Sequence, residues 1–294
     1  MDRRKFMLSV SGTVGVIGLT GLPLTGSCSP VTAMTIQDVI EIVIKSVPGG
    51  PLTQTVDTVK SGDPTRPVTG VVTTMFATIG VIRKAIDLGA NLIIAHEPTY
   101  YNHLDNTSAL VNDEVYKFKR ALLEQHGIVV WRCHDYIHRF TADGIYEGVL
   151  GKLGWKQYAS IESPARLVIP PASLQNVIDH NKEKLGIPML RYMGDLPATI
   201  RTVTFMVGAP GGARQIEAID KTRPDLVMIG ELAEWETLEY MRDLRDSGGK
   251  TSMIILGHIP SEEPGMEWLV NWLKPSIGQI PIQFISSGHP VKWG

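Results

Sequence analysis

The sequence predicts an α/β fold, with two similar α/β halves, mixed and largely parallel sheets, and a site at strand carboxyl ends between the halves. Three observations carry that expectation. Short uninterrupted apolar runs such as Leu92-Ile93-Ile94-Ala95 and Leu226-Val227-Met228-Ile229 read as strands buried on both faces. Amphipathic stretches with capping residues alternate with these runs, which is the order of βαβ units. Imidazoles and carboxylates follow four of the runs directly.

The elements follow in order. A helix is expected over residues 36–47, because Thr35 with Asp38 three positions on makes a capping pair ahead of an apolar period. β-rich stretches come next at 55–60 and 68–76, then a helix at 79–88 and a strand at 91–95. The periodicity continues with a helix at 112–126, a strand at 128–132, and a helix at 145–153 stopped by Gly154. The theme repeats with a strand at 166–169 and a helix beginning after Ser173. A strand at 202–207 enters the turn Gly208-Ala209-Pro210-Gly211-Gly212, and a helix runs on to 219. Strand 226–229, helix 234–246, strand 252–256, helix 266–273 and strand 282–286 complete the pattern. The expected halves are 35–165 and 166–294, with the weakest joints at Pro170-Pro171 and over 194–197. Low-complexity segments and short repeats are not visible.

Residues 1–34 read as an export signal. Arg3-Arg4 precede the apolar, Gly-rich stretch 7–24, the pattern of a twin-arginine leader, and its Ser, Gly and Thr make it a poor permanent span. A short apolar amino-terminal helix is the plainer alternative. Thr25-Gly26-Ser27-Cys28 resembles a lipoprotein processing box with Cys28 acylated, and cleavage near Thr32-Ala33 competes with it. The expectation is a periplasmic protein or a membrane-anchored lipoprotein. Cys133 is the only other cysteine, so an internal disulfide in the mature chain is not expected.

A net charge of −2 with scattered basic residues offers nucleic acid no electrostatic footprint, which leaves a small-molecule substrate as the expected partner. The chemistry collects after the strands. Leu92-Ile93-Ile94-Ala95 runs into His96-Glu97, and the strand ending at Cys133 runs into His134-Asp135, with His138 four residues further. Glu231 follows the strand and glycine before it, and Gly257 leads to His258 with Glu262 four residues on. Taken singly, each is also a polar strand end or the acidic first turn of a helix. Recurrence at four strand ends favours one site, since ligands of open α/β sheets bind at the carboxyl ends of parallel strands.

Imidazole with carboxylate is a donor set for Zn, Mn, Fe, Co or Ni, without the thiolates of structural zinc. The segments offer enough donors for two divalent ions, while Glu97 and Glu262 could neutralise their charge or accept a proton. Other constellations are weaker. The turn at 208–212 lacks phosphate-loop spacing. Cys133 and His134 are strand neighbours that point to opposite faces. Tyr100, Tyr101 and His103 could line a pocket after His96 or simply pack.

These segments together resemble the NIF-three-like dinuclear metal-centre family, also called type 2 homologues of GTP cyclohydrolase I. His96-Glu97-Pro98 is similar to its His-His-Pro segment, and His134-Asp135-Tyr136-Ile137-His138 to its His-Thr-Asn-Leu-Asp segment. Asp143-Gly144 through Leu153-Gly154, the strand-turn 203–212, Asp225 through Gly230-Glu231, and Gly257-His258 with Glu262 match later segments in the family's order. The chain resembles the compact members without an inserted domain. The resemblance implies metal ligands at His96, His258 and Glu262. It places Glu97 where a second ligand His usually stands, His138 where a ligand Asp stands, and His134 on a site-lining His. It also implies a ring-shaped homo-hexamer.

The expected function is a dinuclear metal-dependent hydrolase for a small, nucleotide-like or heterocyclic substrate. Its ligands would be His96, Glu97, His138, His258 and Glu262, with His134 and Glu231 as proton-transfer or orienting groups. The alternative is a non-enzymatic protein that stores, delivers or senses a metal. A scaffold that keeps only the ring assembly is a third possibility.

Overall fold

The computed structural model describes residues 33–292, so the leader up to Thr32, with Cys28, lies outside the described residues. The first helix, α1 (Ile36–Lys45), starts at Thr35, whose hydroxyl accepts from the Asp38 amide while the Asp38 carboxylate accepts from the Thr35 amide. Four strands then join one sheet: β1 (Val59–Ser61), β2 (Val71–Thr74), β3 (Leu92–Ala95) and β4 (Val129–Arg132). Helix α2 (Ile79–Asp87) links β2 to β3, and α3 (Glu114–His126) links β3 to β4. These are parallel crossovers, and β2, β3 and β4 pair in parallel. Antiparallel β1 covers the β4 edge.

Helix α4 (Gly144–Leu153) leads to the second sheet, built from β5 (Arg166–Ser173), β6 (Arg191–Met193), β7 (Thr199–Met206), β8 (Leu226–Ile229) and β9 (Ser252–Ile255). Its helices are α5 (Leu174–Leu185), α6 (Gly212–Thr222) and α7 (Glu239–Asp246). The order is β5-β7-β8-β9-β6, with a parallel centre and antiparallel edges. Helix α8 (His258–Leu273) and strand β10 (Ile282–Phe284) end the chain, and β10 pairs with β2, giving the first sheet the order β1-β4-β3-β2-β10.

Strict alternation explains why the strands read as solid apolar runs. Leu92 and Ile94 face a core with α1 and α8, whereas Ile93 and Ala95 face α2 and α3. In the second sheet, Leu226 and Met228 face α4 and α5, while Val227 and Ile229 face α6 and α7. Helices on both faces are what buried parallel strands require.

Several expectations shift. The segments 35–165 and 166–294 interlock: Val149, Leu150 and Leu153 of α4 pack on the second sheet, and α8 with β10 returns to the first. Gly148 and Gly265 let α4 and α8 touch backbone to backbone, and Thr73 Oγ1 donates to the Met266 carbonyl at 2.7 Å. The last helix begins at His258, eight residues before its apolar stripe, because Pro260, Ser261 and Glu262 are tolerated in a first turn. Pro170-Pro171 lie within β5, an edge strand whose register shifts there, rather than at a joint. Strand β6 lacks an apolar run and is held by antiparallel pairing with β9. A π-helical turn, Glu234–Leu238, precedes α7 where one continuous helix was expected. Among the described residues, no helix is long and apolar enough to cross a membrane.

Candidate metal centre

Four strand ends bring the predicted side chains together. His96 and Glu97 follow β3, and their amides extend the ladder by donating to Thr74 and Met75 carbonyls at 3.1 and 2.9 Å. His134 follows β4, and the Cys133 amide donates to the Ala95 carbonyl while its thiol side turns into the core. His138 sits on a short 3-10 turn (Ile137–Arg139). Glu231 follows β8, and His258 opens α8 after Gly257, whose φ of +94° favours glycine.

Each of the four imidazoles has its Nδ1 tied to an oxygen that can only accept. His96 Nδ1 donates to the Cys133 carbonyl at 3.1 Å and His134 Nδ1 to Asp135 Oδ1 at 3.0 Å. His138 Nδ1 donates to Asp143 Oδ2 at 2.9 Å, and His258 Nδ1 to Glu231 Oε2 at 3.0 Å. With Nδ1 donating in each ring, Nε2 is the nitrogen turned toward the centre, where a cation could replace its proton, the carboxylate–histidine arrangement found around bound metals. The outer partners are themselves held. Asp143 caps α4, Asp135 accepts from Thr55 Oγ1 and the Val56 amide, and Asp57 accepts from the His134 and Tyr136 amides.

The Nε2 atoms and two carboxylates converge. His258 Nε2 lies 3.0 Å from Glu262 Oε2 and 3.4 Å from Glu97 Oε1. His96 Nε2 is 3.4 Å from Glu262 Oε2, fully buried, and without a hydrogen-bond partner. A buried polar atom left unpaired costs about 1–3 kcal/mol, so its position calls for a partner that the protein does not itself supply. Two donor groups have all their ligand atoms within 4.8 Å of one another: His96, His134 and His138, and His96, Glu97 and Glu262.

The electrostatics point the same way. Burial favours neutral imidazole at His258, yet hydrogen bonds and charge from Glu262 and Glu97 outweigh it and lift the pKa to about 10. His96 is also raised: burial opposes this, but the Glu262 and Glu97 charges prevail. Burial would raise Glu97, but His258 and His96 bring it down to about 2, and Glu262 is depressed further against the same burial penalty. His134 falls to about 4, through burial first and the charge of His96 second, which keeps it a free base. Two packed carboxylates thus demand positive charge beside them. Divalent cations would supply it, and the chemistry of these donors fits them.

All seven predicted residues therefore meet at one place, with two adjustments. Glu231 is not aimed at the cluster but holds His258 from outside. His134 stands with His96 and His138 as a converging donor, beyond the proton-transfer or orienting role expected for it. Four further residues went unassigned in the sequence. Arg132, fully buried, donates from Nε to the His96 carbonyl at 3.2 Å and lies 3.4 Å from Glu97 Oε2. A charged residue ending an otherwise apolar strand was its signal. Asp135 and Asp143 had only their nearness to His134 and His138, and Asp57, 77 positions from His134, had none. Of the three possible pocket residues, His103 packs edge-on to His134 with ring centres 5.8 Å apart, while Tyr100 packs on Tyr116. The 208–212 turn makes room for a carboxylate, since a Cβ on Gly208 would lie 2.6 Å from Glu262 Cδ. A cleft of about 650 Å³ lies at the amino ends of β7, β8 and β9, away from these donors.

Comparison with known proteins agrees with this fold. Residues 34–290 match the family model described as Duf34/NIF3 (NGG1p interacting factor 3). A Clostridium perfringens protein named GTP cyclohydrolase 1 type 2 homolog is 24% identical over 217 residues, covering 69% of this chain and 77% of that one. A protein of the same name from Clostridium acetobutylicum is 24% identical over 233 residues, covering 75% and 82%. The solved structure of Staphylococcus aureus hypothetical protein SA1388 superposes with a TM-score of 0.70 at 19% identity, covering 89% of this chain and 99% of that one. A Bacillus cereus protein related to NIF3 gives 0.69 at 14% identity, covering 89% and 99%.

Proposed function

The chain belongs to the Duf34/NIF3 family, and from that premise we propose that it is a dinuclear, metal-dependent hydrolase of a small nucleotide-like or heterocyclic substrate. The observation that carries this reading is the set of four imidazoles with Nδ1 engaged, two of which, His96 and His258, bring Nε2 within 3.4 Å of Glu262 Oε2. His96, Glu97, His134, His138, His258 and Glu262 would hold the metals. Bound divalent ions would supply Lewis acidity and a water of lowered pKa.

The protein's own groups divide the remaining work. His96 and Glu262 form a floor, 0% and 5% exposed, while His134 and His138, about a quarter exposed, face the side from which substrate enters. Glu231 is mostly exposed and bonded to His258 Nδ1, so it orients that ring and can pass a proton between it and water. His103 at the rim faces His134 and can hydrogen-bond an entering polar group. Arg132 fixes Glu97 Oε2 and turns Oε1 inward.

The Arg3-Arg4 pair ahead of the apolar stretch 7–24 is the basis for proposing export by the twin-arginine route to the periplasm. Membrane attachment through a lipidated Cys28 and assembly as a homo-hexamer complete the proposal. The names of the Clostridium relatives favour a nucleotide among substrates. Metal-loaded protein screened against ester, phosphate and cyclic amide substrates tests the reading. Hydrolysis that disappears with chelation and in Glu262→Gln supports it. Tight but readily released metal with no hydrolysis under any ion would replace it with a storage or sensing role.

A further inference from the structure

The donors are not mixed evenly. His96, His134 and His138 form a near-equilateral group, with ring centres 4.9, 5.3 and 5.4 Å apart, and contribute three nitrogens with no charge when neutral. Around His258 Nε2 stand Glu97 Oε1 and Glu262 Oε2, giving two carboxylates and one imidazole with formal charge −2. His96 is within reach of both groups. With Nδ1 committed to the Cys133 carbonyl, it has one nitrogen to give. The carboxylate group keeps three donors without it, whereas the imidazole group would fall to two. Glu262 Oε2, within 3.4 Å of both His96 and His258 Nε2, lies between the groups.

We propose that the centre is heterodinuclear: the three-imidazole group takes Zn(II), and the Glu97–His258–Glu262 group takes a more oxygen-preferring ion, Mn(II). The inference rests on the two-metal reading above. Three imidazoles are the ligand set of an open zinc site, and carboxylate-rich sets suit Mn. Arg132 reinforces the division by occupying Glu97 Oε2, so that Glu97 offers its metal one oxygen.

Zinc outcompetes manganese at most nitrogen and oxygen sites, so the test limits its supply. Full-length mature protein, stripped with chelator, receives one equivalent of Zn(II) and excess Mn(II), is desalted, and is analysed by elemental analysis, Mn electron paramagnetic resonance and Zn-edge X-ray absorption. The expected result is one Zn and one Mn per chain, an imidazole-dominated zinc shell and uncoupled Mn(II). His138→Ala should lower zinc at least tenfold with manganese retained, and Glu97→Gln the reverse. A zinc shell dominated by oxygen, spin-coupled manganese pairs, or joint loss of both metals in each variant would overturn the proposal and leave two-metal binding intact. Wild-type protein that retains no metal would instead overturn the two-metal reading. Absorption spectra need only wild-type protein, so a variant that misfolds does not spoil the test.

Discussion

Gly208→Ala is expected to remove metal from the centre although no ligand is substituted. Gly208 has φ +60°, and an added methyl would lie 2.6 Å from Glu262 Cδ. Carbon–carbon contact needs about 3.5 Å, so the carboxylate must retreat by about 1 Å. Metal–oxygen bonds of roughly 2.0–2.2 Å do not survive such a displacement. The loss should reach at least the 10–100-fold typical of disturbed outer partners, or about 1.4–2.7 kcal/mol of binding. Backbone strain adds a separate cost of about 1–2 kcal/mol to folding, because alanine in a left-handed conformation crowds its own carbonyl. Gly211→Ala separates the two effects: it also has positive φ, at +91°, but nothing lies within 4 Å of its added methyl. Denaturant unfolding and competition against a chromophoric chelator read stability and affinity independently. Both variants should lose stability, and only Gly208→Ala should lose metal. Unchanged affinity in Gly208→Ala, or equal loss in Gly211→Ala, would refute the reasoning.

Other consequences follow from packing and charge. Gly265→Ala should destabilise by about 1–3 kcal/mol in urea unfolding, because its methyl would lie 2.7 Å from Ile145 Cα, although alanine is the better helix former by about 1 kcal/mol on an open face. Net stabilisation would show that α4 and α8 are not packed at that distance. Burial lowers Lys119 from 10.5 to about 8, so above pH 8 the unfolded chain holds the extra proton and stability rises with pH. The gain over pH 8–10 should approach about 2–3 kcal/mol and vanish in Lys119→Met; parallel pH profiles for the two proteins would disprove it. Glu231→Ala leaves every Nε2 in place but frees the His258 ring, so metal affinity should fall roughly tenfold, less than for any ligand substitution. A loss as large as that of His258→Ala would make Glu231 a ligand.

The fold was legible wherever local pattern and tertiary demand coincide. Leu92–Ala95 and Leu226–Ile229 are apolar on both faces because helices cover both faces, and no other arrangement of so short a run is stable in a parallel sheet. Strand β6 was not legible, since Arg191-Tyr192-Met193 owes its conformation to β9. The return of β10 to the first sheet is a tertiary choice that leaves no mark on Ile282-Gln283-Phe284. The site was readable because a strand end fixes where the next side chain goes, so His96, His134, Glu231 and His258 declared themselves by position. The outer partners did not: Asp57 reaches His134 through a backbone amide, a contact that depends on two loops meeting. Gly208 carries no local mark of its role either, since the Glu262 carboxylate fills the space of its missing side chain from far along the chain.

Metal content measured directly on purified protein tests the central claim most plainly. Elemental analysis of wild type should give two divalent ions per chain, and His258→Ala, which removes the nitrogen 3.0 Å from Glu262 and 3.4 Å from Glu97, should give one or none. A folded wild-type chain that takes up no metal, or a His258→Ala chain with an unchanged count, would contradict the account.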